Sequence, residues 1–172
     1  QYNSMAAGIA GNVLKIRKEI IRESLIDFQG VEHRLEPVIK VHGIQFINDS
    51  KATTVGAVEM ALKSIPRGSI LIMGGRTKGD DYSRLAKSIK EKIKHLVLIG
   101  ESAEDFKKLY KNIPGDIAGS MTDAVEKAIK ASSIDDVIIL SPACASFDMF
   151  SNFEERGEKY REAVLKLNSE QF

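Results

Sequence analysis

The chain reads VIILSPACASFDMFSNFEERG from Val137 to Gly157. The four apolar residues at its start predict a buried strand, and residues 158–167 after it predict a helix. A loop rich in small and hydroxyl-bearing side chains joins them and ends in two phenylalanines and an acidic turn. In an open α/β sheet such a loop lies where ligands bind, at the carboxyl end of a strand. The stretch therefore predicts an α/β fold and the edge of the sheet that carries a site.

The same alternation of short strands and helices extends towards the N-terminus as far as residue 33. Residues 41–43 are typical of a hairpin turn between the first two strands. This order predicts a mostly parallel sheet with helices on both faces. Predicted strands cover 33–40, 44–48, 70–73, 96–99 and 116–118, and predicted helices cover 53–64, 83–93, 103–110 and 122–131.

Two further helices are predicted before the α/β region, over Asn3–Asn12 and Arg17–Phe28. The first is rich in alanine and glycine, and small side chains let helix axes approach closely. We therefore expect it to pack against another part of the protein. Since the sequence begins at Gln1 without a methionine, we also expect a piece of a longer protein, with a domain boundary near residues 30–33.

The overall charge argues against two classes of partner. The 25 basic and 24 acidic residues nearly cancel and leave a net charge of +1. That balance offers no electrostatic basis for binding nucleic acid or a membrane surface. A single cysteine excludes an internal disulfide and is typical of a reducing compartment. No apolar run approaches the ~20 residues of a membrane span, and no signal peptide is apparent.

Polar residues follow the predicted strand that ends at Asn48, in the segment Asp49-Ser50-Lys51-Ala52-Thr53. Helix capping explains part of this composition, because aspartate, serine and threonine are all good N-cap residues. It does not explain Lys51, whose charge opposes the dipole at a helix N-terminus. An anion bound beside Lys51 explains this lysine better.

Two more strand ends carry comparable groups. The segment GGRTKGDD from Gly74 to Asp81 has glycines that would let a ligand approach the backbone, and Lys78 offers a second cation. It is not a phosphate loop, because Lys78 precedes a glycine, and a flexible solvated loop is the alternative. In the third loop, Ser146 and the N–H groups before the last helix offer donors to a carboxylate. Two lysines and one helix N-terminus at one crevice predict a site for a small dianion.

Other residues are expected to have no part in the chemistry. Cys144 has no plausible histidine partner and is expected to be a small buried residue. The three histidines do not share metal-ligand spacing. We expect at least one phenylalanine of the third loop to pack into the core. Surface or rim positions are expected for Tyr82, Tyr110 and Tyr160.

Four segments of the chain carry a family resemblance. They are HRLE from His33 to Glu36, NDSKAT from Asn48 to Thr53, GGxxKGxD from Gly74 to Asp81 and SPACASFDxFxNFExRG from Ser141 to Gly157. In order and spacing they resemble motifs of the UDP-N-acetylmuramoylalanine–D-glutamate ligases (MurD), within the Mur ligase family. Thr54 and Thr77 depart from the usual pattern, which has asparagine and aspartate there, but neither change removes a charge-bearing contact.

The resemblance implies the Rossmann-like C-terminal domain of a three-domain enzyme of peptidoglycan synthesis in the bacterial cytoplasm. Residues 33–172 would form this amino-acid-binding domain, and residues 1–32 would be the last helices of the central ATP-binding domain. Such enzymes use ATP and Mg²⁺, the metal bound mainly by the central domain, to activate the carboxylate of UDP-N-acetylmuramoyl-L-alanine as an acyl phosphate. The amine of D-glutamate then attacks it. We expect a monomer that binds neither nucleic acid nor membrane.

Carried over by position, the resemblance also implies roles for single residues. Lys51 and Lys78 would act in catalysis and, with Thr53, would orient and neutralise carboxylates. Arg34 and Asp49 would contact the phosphates and the ribose side of ATP, and Asn3 would lie near the adenine. The implied contacts to D-glutamate are Lys51, Thr53, Lys78, Ser146, Phe147 and Phe153.

Two alternatives remain open from the sequence. A sister amide ligase, such as another Mur ligase or a folylpolyglutamate synthase, would share the architecture but should lack the motif from Ser141 to Gly157. A non-catalytic module that binds small anions would explain why the chain has no phosphate loop. A reading frame that continues upstream into a glycine-rich phosphate loop would exclude this second alternative.

Overall fold

The computed structural model describes residues 2–28 and 30–169. The chain divides into two compact units, Gln1–Val31 and Glu32–Phe172. The division lies one residue before the boundary expected between residues 32 and 33. That the first unit belongs to an ATP-binding domain stays a prediction. None of the helices in the described ranges has the length and hydrophobicity that a bilayer crossing requires.

The first unit is a pair of helices, α1 over Tyr2–Val13 and α2 over Lys18–Ile26. A turn with Lys15 in the left-handed region (φ 56°) joins them. A Cβ atom on Gly11 would lie only 2.8 Å from Cδ1 of Ile21. The small residues of α1 therefore allow a close approach to α2. Every residue of α2 remains at least partly exposed.

The second unit is a six-stranded sheet with helices packed on it. Its strands are β1 (Glu36–Val41), β2 (Ile44–Asn48), β3 (Ser69–Gly74), β4 (Ile93–Ile99), β5 (Gly115–Ala118) and β6 (Val137–Leu140). Its helices are α3 (Val55–Ser64), α4 (Ala86–Lys92), α5 (Ala103–Leu109), α6 (Met121–Lys130) and α7 (Phe153–Ser169), and a short 3-10 turn, Tyr82–Leu85, precedes α4.

The strand order across the sheet is β1-β2-β6-β3-β4-β5. β1 runs antiparallel to β2, and every other neighbouring pair is parallel. His42 and Gly43 form the hairpin turn with positive φ values of 49° and 82°, which suits the twist of a two-residue hairpin. The mostly parallel sheet and the hairpin predicted from the sequence are confirmed. The last strand of the chain, β6, lies between β2 and β3.

Hydrophobic side chains fill both faces of the sheet. On one face Ile139 of β6 packs with the buried residues of α3, α4 and α5. On the other face Ile138 and Leu140 pack with the buried residues of α6 and α7. Strands buried on both faces read as continuous apolar runs, which is how β6 was recognised in the sequence. The prediction that helices cover both faces is confirmed.

The expectation of surface tyrosines is wrong. Tyr82, Tyr110 and Tyr160 are each at most 9% exposed. Their hydroxyl groups have partners in the interior, since Tyr110 donates to the Tyr82 carbonyl at 2.7 Å and Tyr160 donates to the Ile138 carbonyl at 3.1 Å. A tyrosine is readily buried when its hydroxyl finds a partner. The expected burial of Cys144 is confirmed.

The last helix begins at Phe153, five residues before the predicted start at Glu158. The side-chain oxygen of Asn152 accepts a hydrogen bond from the Glu155 amide at 2.7 Å, and the Glu155 carboxylate accepts one from the Ser151 amide at 2.6 Å. Reciprocal contacts of this kind cap helix N-termini. The acidic turn is therefore the first turn of α7 and not the end of the loop.

Candidate functional site

The carboxyl ends of β2, β3 and β6 meet at one edge of the sheet, because β6 lies between the other two strands. Three loops leave this edge: the β2 loop (residues 49–54), the β3 loop (75–81) and the β6 loop (141–152). They contain the three polar segments identified in the sequence. In α/β sheets this edge is where ligands bind.

Backbone hydrogen bonds fix the three loops to one another. The Ala143 amide donates to the Ala52 carbonyl at 2.9 Å and so joins the β6 loop to the β2 loop. Arg76 and Ala145 exchange two hydrogen bonds of 3.0 Å and so join the β6 loop to the β3 loop. The functional side chains therefore extend from one connected backbone frame, which is the kind of support a precise site needs.

The glycines at the end of β3 do not face a ligand. A Cβ atom on Gly74 would lie 2.1 Å from the Ile99 carbonyl oxygen, and one on Gly75 would lie 2.3 Å from the Ala145 carbonyl oxygen. Their φ values of 124° and 129° are also ones that other residues rarely adopt. The expectation that the glycines of this segment admit a ligand is therefore wrong for Gly74 and Gly75, because neighbouring protein backbone occupies that space, whereas the space beside Gly79 is open.

Lys78 and Thr53 meet across the β3 and β2 loops. The Lys78 ammonium donates a hydrogen bond to Thr53 Oγ1 at 3.0 Å. Lys78 is exposed and Thr53 is half-buried. In the part of the chain that the structure describes, no acidic side chain lies within ion-pair distance of Lys78 or Lys51. The site thus presents two lysine charges that no carboxylate among residues 30–169 neutralises by an ion pair.

Lys51 contacts the first residue of α7. Its Nζ atom lies 4.0 Å from the centre of the Phe153 ring, a cation–π contact. The ring of His33 meets Phe153 edge-on, with ring centres 6.1 Å apart and an angle of 84°. The Ser50 hydroxyl donates to the Phe153 carbonyl at 2.7 Å. Phe153 is therefore held on two sides and in turn fixes the position of the Lys51 ammonium.

Ser146 and Phe147 lie in the β6 loop and differ in exposure. Ser146 is buried and its carbonyl accepts from the Phe150 amide at 2.9 Å, whereas Phe147 is 64% exposed. Phe150 packs partly against the core beside α6 and α7, which confirms that one phenylalanine of this loop has a packing role. The expectation of free N–H groups before α7 is wrong for Ser151 and Glu155, because the capping contacts engage both.

Asp49 is buried and braces the segment that carries the exposed Arg34. Its carboxylate accepts from the Leu35 amide at 3.1 Å and from the Ser141 hydroxyl at 2.8 Å. Burial is the largest influence and raises the pKa of Asp49, although these hydrogen bonds act to lower it. Contact with ATP stays a prediction for both Arg34 and Asp49. The geometry favours Asp49 as a support for the backbone beside Arg34.

The backbone at His33 and Leu35 is left-handed, with φ values of 61° and 45°, so β1 begins three residues later than predicted. The His33 carbonyl accepts from the Lys51 amide at 3.0 Å, and Asn48 Nδ2 lies 3.0 Å from His33 Nδ1. A Cβ atom on Gly157 would lie 2.2 Å from that ring nitrogen. Gly157 therefore lets the His33 ring pack directly on α7.

The buried cation Arg156 has a structural role that the sequence does not reveal. Arg156 is 1% exposed, and its guanidinium donates to the Ser50 hydroxyl at 3.0 Å, the Ser50 carbonyl at 2.8 Å and the Cys144 carbonyl at 3.1 Å. It joins α7 to the β2 loop beside Lys51 and to the β6 loop near Ser146. Burial lowers the pKa of Arg156 to about 10. Its Ser50 partner is 106 residues away in sequence, so no local pattern reveals it.

Two further expectations concern groups outside the three loops. Asn3, expected near the adenine, is an exposed residue of α1 in the first unit, and its role stays a prediction. Among residues 2–28 and 30–169, no three histidine, cysteine or acidic side chains are grouped so that they could hold a metal ion. That magnesium is bound mainly by another part of the protein also stays a prediction.

A comparison with protein families assigns most of the second unit. Residues 33–144 match the family described as Mur ligase, glutamate ligase domain. The chain belongs to this family. The matched range of this Mur ligase domain begins at His33, includes the β2 and β3 loops with Lys51 and Lys78, and ends at Cys144 in the β6 loop.

Curated relatives of this Mur ligase domain are named UDP-N-acetylmuramoylalanine–D-glutamate ligase. The chain is 45% identical to the protein of Bacteroides fragilis over 169 residues, which is 96% of this chain and 38% of the relative. It is 46% identical to the protein of Chloroherpeton thalassium over 167 residues, which is 96% of this chain and 36% of the relative. The chain thus spans somewhat more than a third of the length of these relatives.

Solved structures of related ligases share the fold. The UDP-N-acetylmuramate-alanine ligase MurC of Thermotoga maritima matches with a TM-score of 0.73 at 16% identity, over 98% of this chain and 37% of that one. A pseudomurein peptide ligase type C of Methanothermus fervidus matches with a TM-score of 0.68 at 25% identity, over 96% of this chain and 35% of that one. The predicted α/β architecture is therefore that of a Mur ligase domain.

Proposed function

We propose that this chain is the C-terminal, D-glutamate-binding domain of an ATP-dependent, ADP-forming ligase. The enzyme adds D-glutamate to UDP-N-acetylmuramoyl-L-alanine during peptidoglycan precursor synthesis in the bacterial cytoplasm, and it acts as a monomer. The relatives that carry this name, at about 45% identity over 96% of the chain, support the substrate. The observation that carries the site is the pair of lysines, Lys51 and Lys78, that have no acidic partner among the described residues and lie on two loops that meet at the Lys78–Thr53 hydrogen bond.

The domain positions D-glutamate through groups that fit a dicarboxylate. Lys78, already hydrogen-bonded to Thr53, binds one carboxylate, and Lys51 adds a second cation from the neighbouring loop. Ser146, together with the backbone near Phe153, holds the side-chain carboxylate, and Phe147 covers the ligand. Charge-assisted hydrogen bonds of this kind are stronger than neutral ones. They also leave the amine of D-glutamate unpaired and available for attack.

The reaction forms an amide bond by way of an acyl phosphate. ATP phosphorylates the carboxylate of UDP-N-acetylmuramoyl-L-alanine, with Mg²⁺ bound mainly outside this chain, and ADP is produced. The amine nitrogen of D-glutamate then attacks the acyl carbon, the bond to the phosphate oxygen breaks, and the amine loses a proton. Lys51 and Lys78 contribute by fixing the amine in attack geometry and by stabilising negative charge in the transition state.

The remaining assignments concern the nucleotide. Arg34 contacts the ATP phosphates from a segment that Asp49 holds in place, and Asn3 lies near the adenine. The helices of residues 1–32 are the end of the central ATP-binding domain. Because the sequence of the 172-residue chain contains no phosphate loop, the purified chain alone should not hydrolyse ATP. ADP release by that chain above background would contradict this assignment.

A sister amide ligase is the second candidate, and the fold alone does not exclude it. The bifunctional folylpolyglutamate synthase/dihydrofolate synthase of Yersinia pestis matches with a TM-score of 0.60 at 15% identity. The two candidates differ in the substrate that accepts the amino acid. ADP release by the full-length protein that depends on D-glutamate and UDP-N-acetylmuramoyl-L-alanine, and not on a folate, separates them.

The site is tested by steady-state kinetics of the full-length protein. Lys78→Ala removes a charge-assisted contact worth roughly 1.5–3 kcal/mol, so kcat/KM for D-glutamate should fall about ten- to hundred-fold. Ser146→Ala should cost about 1 kcal/mol and relax the preference for D-glutamate over D-glutamine. The matched control is Lys90→Ala, which removes an exposed lysine on α4. A Lys78→Ala enzyme with wild-type kinetics would refute the site.

A further inference from the structure

The β3 loop holds its lysine at the end of a long side chain on an exposed backbone. Residues 76–81 are all exposed. Gly79 has a φ of 83°, with open space where a side chain would be. A lysine side chain loses rotamer entropy when it is fixed, so a moving backbone beneath it would weaken any contact of the ammonium group further. The hydrogen bond from Lys78 to Thr53 therefore requires that the backbone of Lys78 is itself anchored.

Tyr82 supplies such an anchor. The Lys78 amide donates a hydrogen bond to the Tyr82 hydroxyl at 3.2 Å. Tyr82 is 9% exposed, and its ring packs on Phe106 with ring centres 4.9 Å apart. Its carbonyl accepts from the Tyr110 hydroxyl at 2.7 Å. The anchor is thus a buried aromatic side chain that is fixed at both its ring and its backbone.

The Tyr82 hydroxyl keeps its proton near neutral pH. Burial is the main cause that raises the pKa of Tyr82 to about 12. The hydroxyl therefore stays neutral near pH 7 and continues to accept from the Lys78 amide. The thiol of Cys144 also lies 3.8 Å from this oxygen, on the side of the β6 loop. Tyr82 thus touches two of the three loops that form the site.

We infer that Tyr82 is a positioning residue for amino-acid binding, which acts by fixing the backbone of Lys78 so that the ammonium group reaches Thr53 and the substrate carboxylate. This inference rests on the proposed function, in which Lys78 binds a carboxylate of D-glutamate. Tyr82 itself does not touch the substrate. Its hydroxyl acts through the main chain of the β3 loop, and its ring belongs to the core between α3, α4 and α5.

Tyr82→Phe isolates the hydroxyl, because the ring and its contact with Phe106 remain. Loss of one neutral hydrogen bond corresponds to about five-fold weaker binding of D-glutamate. Tyr82→Phe leaves the Lys78 ammonium itself in place, and its charge still acts once the substrate is bound. The loss should therefore appear mainly as a higher KM for D-glutamate, with a smaller fall in kcat. The KM for ATP should not change. The matched control is Tyr160→Phe, since Tyr160 is also buried but donates to Ile138 on the opposite face of the sheet.

The experiment compares these variants in the full-length protein labelled with ¹⁵N-lysine. Tyr82→Phe should accelerate hydrogen exchange of the Lys78 amide and raise the KM for D-glutamate about five-fold, and Tyr160→Phe should do neither. Unchanged exchange at Lys78, or faster exchange with a wild-type KM, would overturn the inference. Failure of the proposed function is seen separately, because the wild-type protein would then release no ADP in response to D-glutamate.

Discussion

Replacing Arg156 by methionine tests whether this buried cation holds the site together. The substitution keeps a long apolar stem and removes the guanidinium, which leaves the two carbonyls of Ser50 and Cys144 and the Ser50 hydroxyl without their donor. Hydrogen bonds to a charged group contribute about 1.5–3 kcal/mol each. Burial lowers the pKa of Arg156 to about 10. This shift corresponds to a cost of roughly 3 kcal/mol for burying the charge. The balance predicts that Arg156→Met lowers the free energy of unfolding by roughly 1.5–6 kcal/mol, with a middle value near 4.

The assay is urea unfolding at pH 7, followed by circular dichroism, of wild type and variant. Arg67→Met is the matched control, because Arg67 is exposed and its pair with Glu91 lies at the surface, where such pairs contribute about 0–1 kcal/mol. We also expect Arg156→Met to weaken amino-acid binding, since Ser50 precedes Lys51 in the β2 loop. An Arg156→Met protein no less stable than the Arg67→Met protein would refute the reasoning.

Two further predictions concern the backbone beneath the site. Burial raises the pKa of Asp49 above its usual 3.8, so the folded state disfavours the charged carboxylate. The stability of the wild type relative to Asp49→Asn should therefore fall as the pH rises from 3.8 through the raised folded-state pKa. Unfolding free energies of both proteins across pH 3 to 7 check this, and a constant difference would contradict it. Gly157→Ala places a Cβ 2.2 Å from His33 Nδ1 and should cost about 1–3 kcal/mol. His33→Ala in the same chain should relieve most of that loss, and an equal loss in both backgrounds would exclude the clash.

The strands, and the meeting of the three polar segments that form the candidate site, could be predicted because both depend on local sequence. A strand buried on both faces is a continuous apolar run, so β6 was visible as VIIL before the motif at Ser141. Polar residues directly after such runs are easily noticed, and their meeting at one edge follows from parallel pairing. Lys78 and Thr53, 25 residues apart, are brought into contact in this way.

Features that depend on distant partners could not be predicted from the sequence. Tyr82 and Tyr110 are buried where each meets a group far away in sequence, Cys144 for Tyr82 and the Tyr82 carbonyl for Tyr110, which composition does not show. Position 75 requires a glycine because the Ala145 carbonyl lies where a side chain would be, and not because a ligand lies there. The early start of α7 is the exception, since the spacing of Asn152 and Glu155 is a local capping pattern that was available in the sequence.

The position of β6 also constrains how the domain is made. β6 follows the other five strands of the sheet in sequence, yet it pairs with both β2 and β3. On the ribosome those two strands emerge without their shared neighbour, and their unpaired edges stay open until residues 137–140 follow. Ala143 and Ala145, which hold the β2 and β3 loops, come later still. The two lysines therefore acquire their final places only after residues 137–145 have emerged, and nascent chains that stop before residue 137 lack the strand that joins the two halves of the sheet.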